Sequence, residues 1–291
     1  MITNLFNPAV ENPCFIIAEA GVNHNGSVDL AYQLIDAAIL TGADAVKFQL
    51  FDPKTLTIAS APQAAYQEKT AKNSSQQTML ESLVLPEQIY PELKKYAESR
   101  GILFLCSPFD IISAQFLVNT CQVPFLKIAS GELTNKLFLQ QVAALGKPLI
   151  LSTGMANLEE VKTALSWLPA KLPVSVLHCV SAYPAPIEAT NLRAIQTLKE
   201  NFPNCVVGFS DHSDGIHLSI AAVSLGAKII EKHLTLDKSM AGPDHAASLE
   251  PAEFKAMVSA IRDIETAETE RSNPASPSAK RSNWVTSLFI L

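Results

Sequence analysis

The chain has 291 residues, 48% of them hydrophobic and 17% charged, with a formal net charge of −6. That composition excludes a disordered chain and allows one large α/β domain with a tail, or two ordinary domains; the acidic balance argues against nonspecific nucleic-acid binding. Cys14, Cys106, Cys121, Cys179 and Cys205 show no C-x-x-C spacing and read as buried thiols of a reducing compartment, the N-terminus MITNLFNPAVENP is no secretory leader, and no apolar run spans a membrane. The expectation is a cytoplasmic protein.

In chain order, short apolar runs alternate with amphipathic segments. The runs are Phe15–Glu19, Ala45–Gln49, Ile102–Cys106, Phe125–Ile128, Leu149–Ser152, Val174–His178, Val206–Ser210 and Lys228–Lys232. The predicted helices are Ser27–Leu40, Pro86–Ser99, Ile111–Asn119, Asn135–Leu145, Leu158–Leu168, Leu192–Asn201, Gly215–Leu225 and Pro251–Ala267. Pro86 and Pro251 suit a first helical turn, and Gly42, Gly101, Gly146 and Gly226 stand where left-handed caps favour glycine. Eight β-then-α units point to an α/β fold of the (β/α)8 TIM-barrel type over residues 1–268, with an open doubly wound sheet as the alternative. No G-x-G-x-x-G or P-loop follows a strand, which weakens that alternative.

The connection from Leu50 to Leu85 is far longer than a usual βα loop, and its polar QEKTAKNSSQQT predicts a mobile loop over the barrel mouth. Residues 269–291 read as a linker of Ser, Pro and Asn ending in the apolar stub VTSLFIL.

Active sites of parallel barrels form at the C-terminal ends of the strands. Here those ends supply Glu19 with Asn23 and His24, Lys47 and Gln49, Ser107, Lys127 with Ser130 and Glu132, Ser152 with Thr153, His178 with Tyr183, Ser210 and His212, and Glu231 and His233. Lys47 and Gln49 share a face, as do the last two pairs, because side chains alternate along a strand. A single lysine at a strand end reads first as a solvated loop charge. Two lysines with serines on neighbouring strands imply an anionic partner such as phosphate or carboxylate. His178, inside VSVLHC, reads as a core or rim histidine before a ligand. His212 and His233 end neighbouring strands, and two histidines plus water suit one divalent ion, with Asp211, Glu231 and Asp244 as further ligands or as groups that orient them.

The stretches IAEAGVNHNGS (17–27), DAVKFQ (44–49), FLCSPFD (104–110), LKIASGEL (126–133), KPLILSTGM (147–155), LHCVSAYPAP (177–186), VGFSDHS (207–213), IIEKHLT (229–235) and AGPDHAAS (241–248) resemble the sialic acid (N-acetylneuraminate) synthases and the related legionaminic and pseudaminic acid synthases. The resemblance implies a condensation in which C3 of phosphoenolpyruvate attacks the open-chain aldehyde of an N-acyl amino sugar, water attacks C2, and phosphate leaves. It implies that Lys47, Gln49, Ser107, Lys127, Ser130, Ser152 and Ser210 hold phosphoenolpyruvate, with Ser107 standing where the family commonly has threonine. It implies that His212 and His233 carry a divalent metal, Mn2+ or alternatively Mg2+ or Co2+, that Glu19 moves protons, and that Asn73, Glu132, Tyr183, Glu231 and Asp244 contact the sugar.

The resemblance also implies a homodimer in which a small C-terminal domain covers the partner's barrel mouth. With Leu291 the last residue, the expectation is a barrel that folds alone, with phosphoenolpyruvate and metal sites intact but sugar use impaired. Three alternatives stand beside this reading. One is a 3-deoxy-heptulosonate or octulosonate phosphate synthase, which would need a second anion site; Arg100, Arg193 and Arg262 form no evident cluster for one. The others are a lyase using Lys127 or Lys47 as a Schiff base, and a non-catalytic sugar-binding barrel.

Overall fold

The computed structural model describes residues 5–58, 60–63 and 75–271. Its strands are β1 (Phe15–Gly21), β2 (Ala45–Leu50), β3 (Leu103–Pro108), β4 (Leu126–Ile128), β5 (Leu149–Ser152), β6 (Val174–Cys179), β7 (Val206–Asp211) and β8 (Ile229–His233). All are parallel and pair in the order β3-β2-β1-β8-β7-β6-β5-β4. The sheet therefore curls into a nearly closed barrel. β3 and β4 lie together at the seam, with no backbone ladder between them among the described residues.

Parallel strands covered by helices are buried on both faces, which is why the runs are continuously apolar rather than alternating. Outward residues such as Ile16, Val46, Phe104, Leu151, Val207 and Phe209 pack beneath the helices in one annular core. Inward residues Ile17, Ala45, Leu105, Phe125, Ile150, Leu177, Val206 and Ile229 fill the barrel, and Phe6 closes its lower end with its ring 5.3 Å from that of Phe125. The helices begin where side chains can satisfy the free amides of a first turn. Ser27 accepts from Leu30 N–H, Asp110 from Ser113 N–H, and Asn157 forms a reciprocal capping box with Glu160. Gly42, Gly101, Gly146 and Gly226 all adopt positive φ at the predicted caps.

Most predicted bounds shift by one or two residues, and three segments change more. The Pro86–Ser99 segment is a short 3-10 turn, Glu87–Ile89, followed by a helix, Tyr90–Ser99. The last helix, Pro251–Arg271, continues past Ala267. The long connection is not a plain loop, because it contains helices Pro53–Leu56 and Gln76–Glu81, the second capped by Ser75. Met79 and Leu83 pack there against Phe51 and Val22, so apolar residues set within the polar segment give it a small core of its own. Residues 64–74, including Asn73, and residues 272–291 lie outside the described residues. No helix of the described residues is long and apolar enough to cross a membrane.

Gly208 sits on the inward face of β7, where a Cβ would meet the Ile229 carbonyl oxygen at 2.4 Å and Leu177 Cδ2 at 2.6 Å. Backbone cannot yield as a flexible side chain can. We therefore expect Gly208→Ala to destabilise the barrel by roughly 1–3 kcal/mol, which lowers the melting midpoint by several degrees in circular dichroism. An unchanged midpoint would show that the barrel interior can relax at this layer.

Candidate active site

One layer above the apolar plug, the inward residues change character. Glu19, Lys47, Ser107, Lys127, Ser152, Cys179, Ser210, Glu231 and His233 come from all eight strands and, with His212 just beyond β7, line one cavity of about 520 Å³. The ladder explains the meeting: Glu19 is in register with Lys47 on one side and His233 on the other, and Ser210 with Glu231. Gln49, Ser130, Tyr183 and Asp244 join the wall from the strand ends and loops.

Four buried charges hold the centre. Lys47 Nζ lies 2.6 Å from Glu19 Oε2 and 3.7 Å from Glu231 Oε2, and Lys127 Nζ lies 3.1 Å from Glu231 Oε1. Lys47 also donates to Ser107 Oγ at 3.1 Å, Ser210 Oγ donates to Glu231 at 2.9 Å, and Gln49 Nε2 donates to Glu19 Oε1 at 3.0 Å. Burial favours a neutral Glu231, but Lys127 and Lys47 outweigh it and hold the carboxyl at about 2. Burial raises Glu19 instead, and the like charge of Glu231 adds to that against the pull of Lys47. Gly21, at φ +52 beyond a bulge in β1, leaves open the space that Glu19 Oε1, Gln49 Nε2 and Asp244 Oδ2 border.

The imidazoles form the second half of the site. The His212 and His233 rings are 5.6 Å apart, and Tyr183 stacks on His212 at 4.2 Å while meeting His233 edge-on at 5.7 Å. His212 Nδ1 donates to the Val180 carbonyl at 2.7 Å, which directs Nε2 toward the Tyr183 hydroxyl, 3.3 Å away. Burial, and after it the neighbouring His212 and Lys47, push His233 well below the usual histidine range. Among the described residues, no three His, Cys, Asp or Glu side chains converge as a ready metal cage. Four buried polar atoms of the cavity wall lack hydrogen-bond partners: Ser152 Oγ and His233 Nδ1, and Glu19 Oε2 and Glu231 Oε2, which have only the ion pair with Lys47. Such atoms are costly to leave empty-handed and point to a polar ligand.

Several expected residues stand elsewhere. Glu132 is off the cavity wall and accepts from Asn135 Nδ2 at 2.8 Å. Asn73 lies outside the described residues. Asp211 is no ligand of the cavity, because strand alternation turns it outward onto Lys232. His178 also faces outward, stacked on Phe209 and bonded to the Thr190 carbonyl. Glu231, expected against the sugar, does line the cavity and there bridges the two lysines. Asn23 holds the chain beyond β8 by donating to the Leu234 carbonyl and Ser248.

Sequence reading missed Cys179, whose sulfur is 3.7 Å from His212 Nδ1; its parity with Leu177 on β6 carried the signal. It also missed the apolar wall of Phe51, Leu56, Met79, Leu80, Leu83 and Phe109, supplied mostly by the long connection.

Comparison with known proteins agrees with this fold. The profile of the NeuB family matches residues 34–273. The N,N'-diacetyllegionaminic acid synthase of Campylobacter jejuni is 48% identical over 91% of this chain and 80% of its own. The N-acetylneuraminate-9-phosphate synthase of Homo sapiens is 38% identical over 88% of this chain and 72% of its own. The crystal structure of an N-acetylneuraminic acid synthetase from Leptospira borgpetersenii, in complex with citrate, superposes with a TM-score of 0.77 at 36% identity, covering 91% of this chain and 93% of that one.

Asp244 yields a test of the site's electrostatics. Burial, with Glu19 next, raises its carboxyl from the usual 3.8 to about 6. The folded state thus holds this proton more tightly than the unfolded chain does. The stability it contributes is present below pH 3.8 and lost as pH rises through about 6, a change worth about 3 kcal/mol. Asp244→Asn mimics the neutral form, so in chelator-treated protein it should raise the denaturation midpoint at pH 8 and change it little at pH 4. An equal effect at both values would contradict the assigned environment.

Proposed function

The chain belongs to the NeuB family, and from that premise we propose that it condenses phosphoenolpyruvate with an unphosphorylated N-acyl amino sugar, giving a nonulosonic acid and phosphate. The observation that carries this reading is the pair of buried ammonium groups, Lys47 and Lys127, set among the hydroxyls of Ser107, Ser152 and Ser210, with Ser152 Oγ unpaired. Buried cations of this kind suit a small, multiply charged anion.

Without substrate, Glu19 and Glu231 neutralise the two lysines. Phosphoenolpyruvate takes over the ammonium groups, with Gln49, Ser107, Ser130, Ser152 and Ser210 as further donors. That exchange frees Glu19, whose raised pKa suits a group that accepts and returns a proton. As C3 attacks the sugar aldehyde, Glu19 manages the protons of the reaction, including the one lost by the water that adds to C2. The resulting tetrahedral carbon releases phosphate by cleaving its own C–O bond. Lys127 and Lys47 hold the departing phosphate throughout.

The imidazoles fit a divalent cation: His212 has its Nδ1 committed to Val180, and His233 is held neutral with a buried Nδ1 that makes no hydrogen bond and lies 3.9 Å from Asp244 Oδ2. A cation such as Mn2+ held by His212 and His233 would supply Lewis-acid polarisation of the aldehyde. Tyr183 and Asp244 face the sugar beside them. Two observations favour a sugar without phosphate. The described cavity wall carries no lysine or arginine beyond Lys47 and Lys127, and the facing wall of Leu56, Met79 and Leu80 suits acyl and methyl groups. The 48%-identical relative is named for an N,N'-diacetylated product. Five free cysteines, four of them buried, support work in a reducing cytoplasm.

Phosphate release from phosphoenolpyruvate, measured over N-acetylmannosamine, its 6-phosphate and a 2,4-diacetamido-2,4,6-trideoxy hexose, should favour an unphosphorylated sugar. Preference for the 6-phosphate would overturn that choice, and no sugar-dependent release would overturn the reaction. Lys127→Ala should raise the KM for phosphoenolpyruvate roughly 10- to 100-fold. Glu19→Gln should leave that KM near wild type and lower kcat by about 100-fold or more. Wild-type turnover by Glu19→Gln would remove it from proton transfer.

A further inference from the structure

On the outer face of the barrel, β7 and β8 present Val207, Phe209 and Ile230 to the surrounding helices. The next outward position on each strand breaks this apolar pattern. Asp211 and Lys232 stand opposite each other in the ladder, both side chains are fully buried, and Lys232 Nζ lies 3.1 Å from Asp211 Oδ2. Asp211 Oδ1 also accepts from the backbone N–H and hydroxyl of Ser213, at 2.8 and 2.6 Å. Its Oδ2 accepts from Ser219 Oγ at 2.7 Å, on the helix His217–Ser224, and Lys232 also donates to the Ser213 carbonyl. Neither residue lines the cavity.

A buried ion pair adds little net stability over two well-packed apolar side chains, because desolvation consumes the attraction. Apolar side chains do serve at the positions just before it. What the pair adds is direction: one charged contact fixes both strand ends and the turn after β7 relative to each other. The residues held by that contact are the immediate neighbours of the two imidazoles. His212 lies between Asp211 and Ser213, both tied to Lys232, and His233 follows Lys232 directly.

We propose that Asp211 and Lys232 are positioning residues that set the spacing of His212 and His233 from outside the barrel, and thereby the affinity of the site for a divalent cation. This rests on reading the two imidazoles as cation ligands. The pair touches no substrate atom and acts only through its neighbours.

The test measures Mn2+ affinity directly, from the electron paramagnetic resonance of free Mn2+, with no phosphoenolpyruvate or sugar present. It compares wild type, His233→Ala, the paired variant Asp211→Asn/Lys232→Met, and Ser219→Ala. The paired variant removes both charges together, so neither is stranded, and Ser219→Ala removes one hydrogen bond to Asp211. The paired variant should hold Mn2+ about 10- to 100-fold more weakly than wild type, and Ser219→Ala roughly threefold more weakly. A folded paired variant with wild-type Mn2+ affinity overturns the proposal. If that variant does not fold, unchanged affinity in Ser219→Ala overturns it instead. Wild-type protein that holds Mn2+ no better than His233→Ala overturns the ligand reading and the proposal with it, which separates the two failures.

Discussion

The burial of Lys47 and Lys127 inside a closed parallel barrel is the constraint around which the upper half of this molecule is arranged. An unpaired ammonium group there would be costly, because both lysines are almost entirely buried. The barrel meets the constraint by placing carboxylates on the neighbouring inward positions, with Glu19 in register beside Lys47 and Glu231 between both lysines. Serine hydroxyls from three further strands complete the layer. Only a barrel whose alternate residues all face one axis can collect so many polar groups while the apolar half of each strand continues to pack.

The same arrangement makes the layer unstable in a useful way. Glu231 is held charged at about 2 by its lysines, whereas Asp244 is pushed to about 6 by burial. Carboxyl groups of one cavity thus differ widely in proton affinity, and a site that must both fix an anion and move protons needs such a division. Buried atoms without hydrogen bonds at Ser152, Glu231 and His233 mark where the protein has left its own bonding incomplete. Below the polar layer the interior is almost wholly apolar, with the buried, unpaired hydroxyl of Ser175 the exception. Ile17, Leu105, Phe125, Ile150 and Leu177 interlock there, and Gly208 stands where an added Cβ would crowd the Ile229 backbone and Leu177.

Much of this was legible before any coordinates. Continuous apolar runs, broken by capping glycines and by Pro251, mark eight strands and their helices because local sterics and two-sided burial leave the same trace in every unit. The inward pairs Lys47 with Gln49, Ser210 with His212, and Glu231 with His233 followed from alternation alone. Parity was ambiguous at β6, where His178 and Cys179 are adjacent and polarity favours the wrong one. The Gln76–Glu81 helix was hidden because its apolar contacts, Met79 and Leu83, sit in a polar run and pack only against Phe51 and Val22 from distant segments. The role of Asp211 was illegible for a related reason: the charge that makes its burial tolerable, Lys232, is brought opposite it only by the ladder.

If the lysine-lined layer holds phosphoenolpyruvate while water adds to C2, the fate of the bridging oxygen is decided. Phosphoenolpyruvate labelled with 18O between C2 and phosphorus should be turned over with the accepted amino sugar, and both products examined by mass spectrometry. The account predicts that all of the label leaves with phosphate and that the new acid carries solvent oxygen at C2. Label retained in the acid would mean that the P–O bond breaks, and would contradict the chemistry assigned to this site.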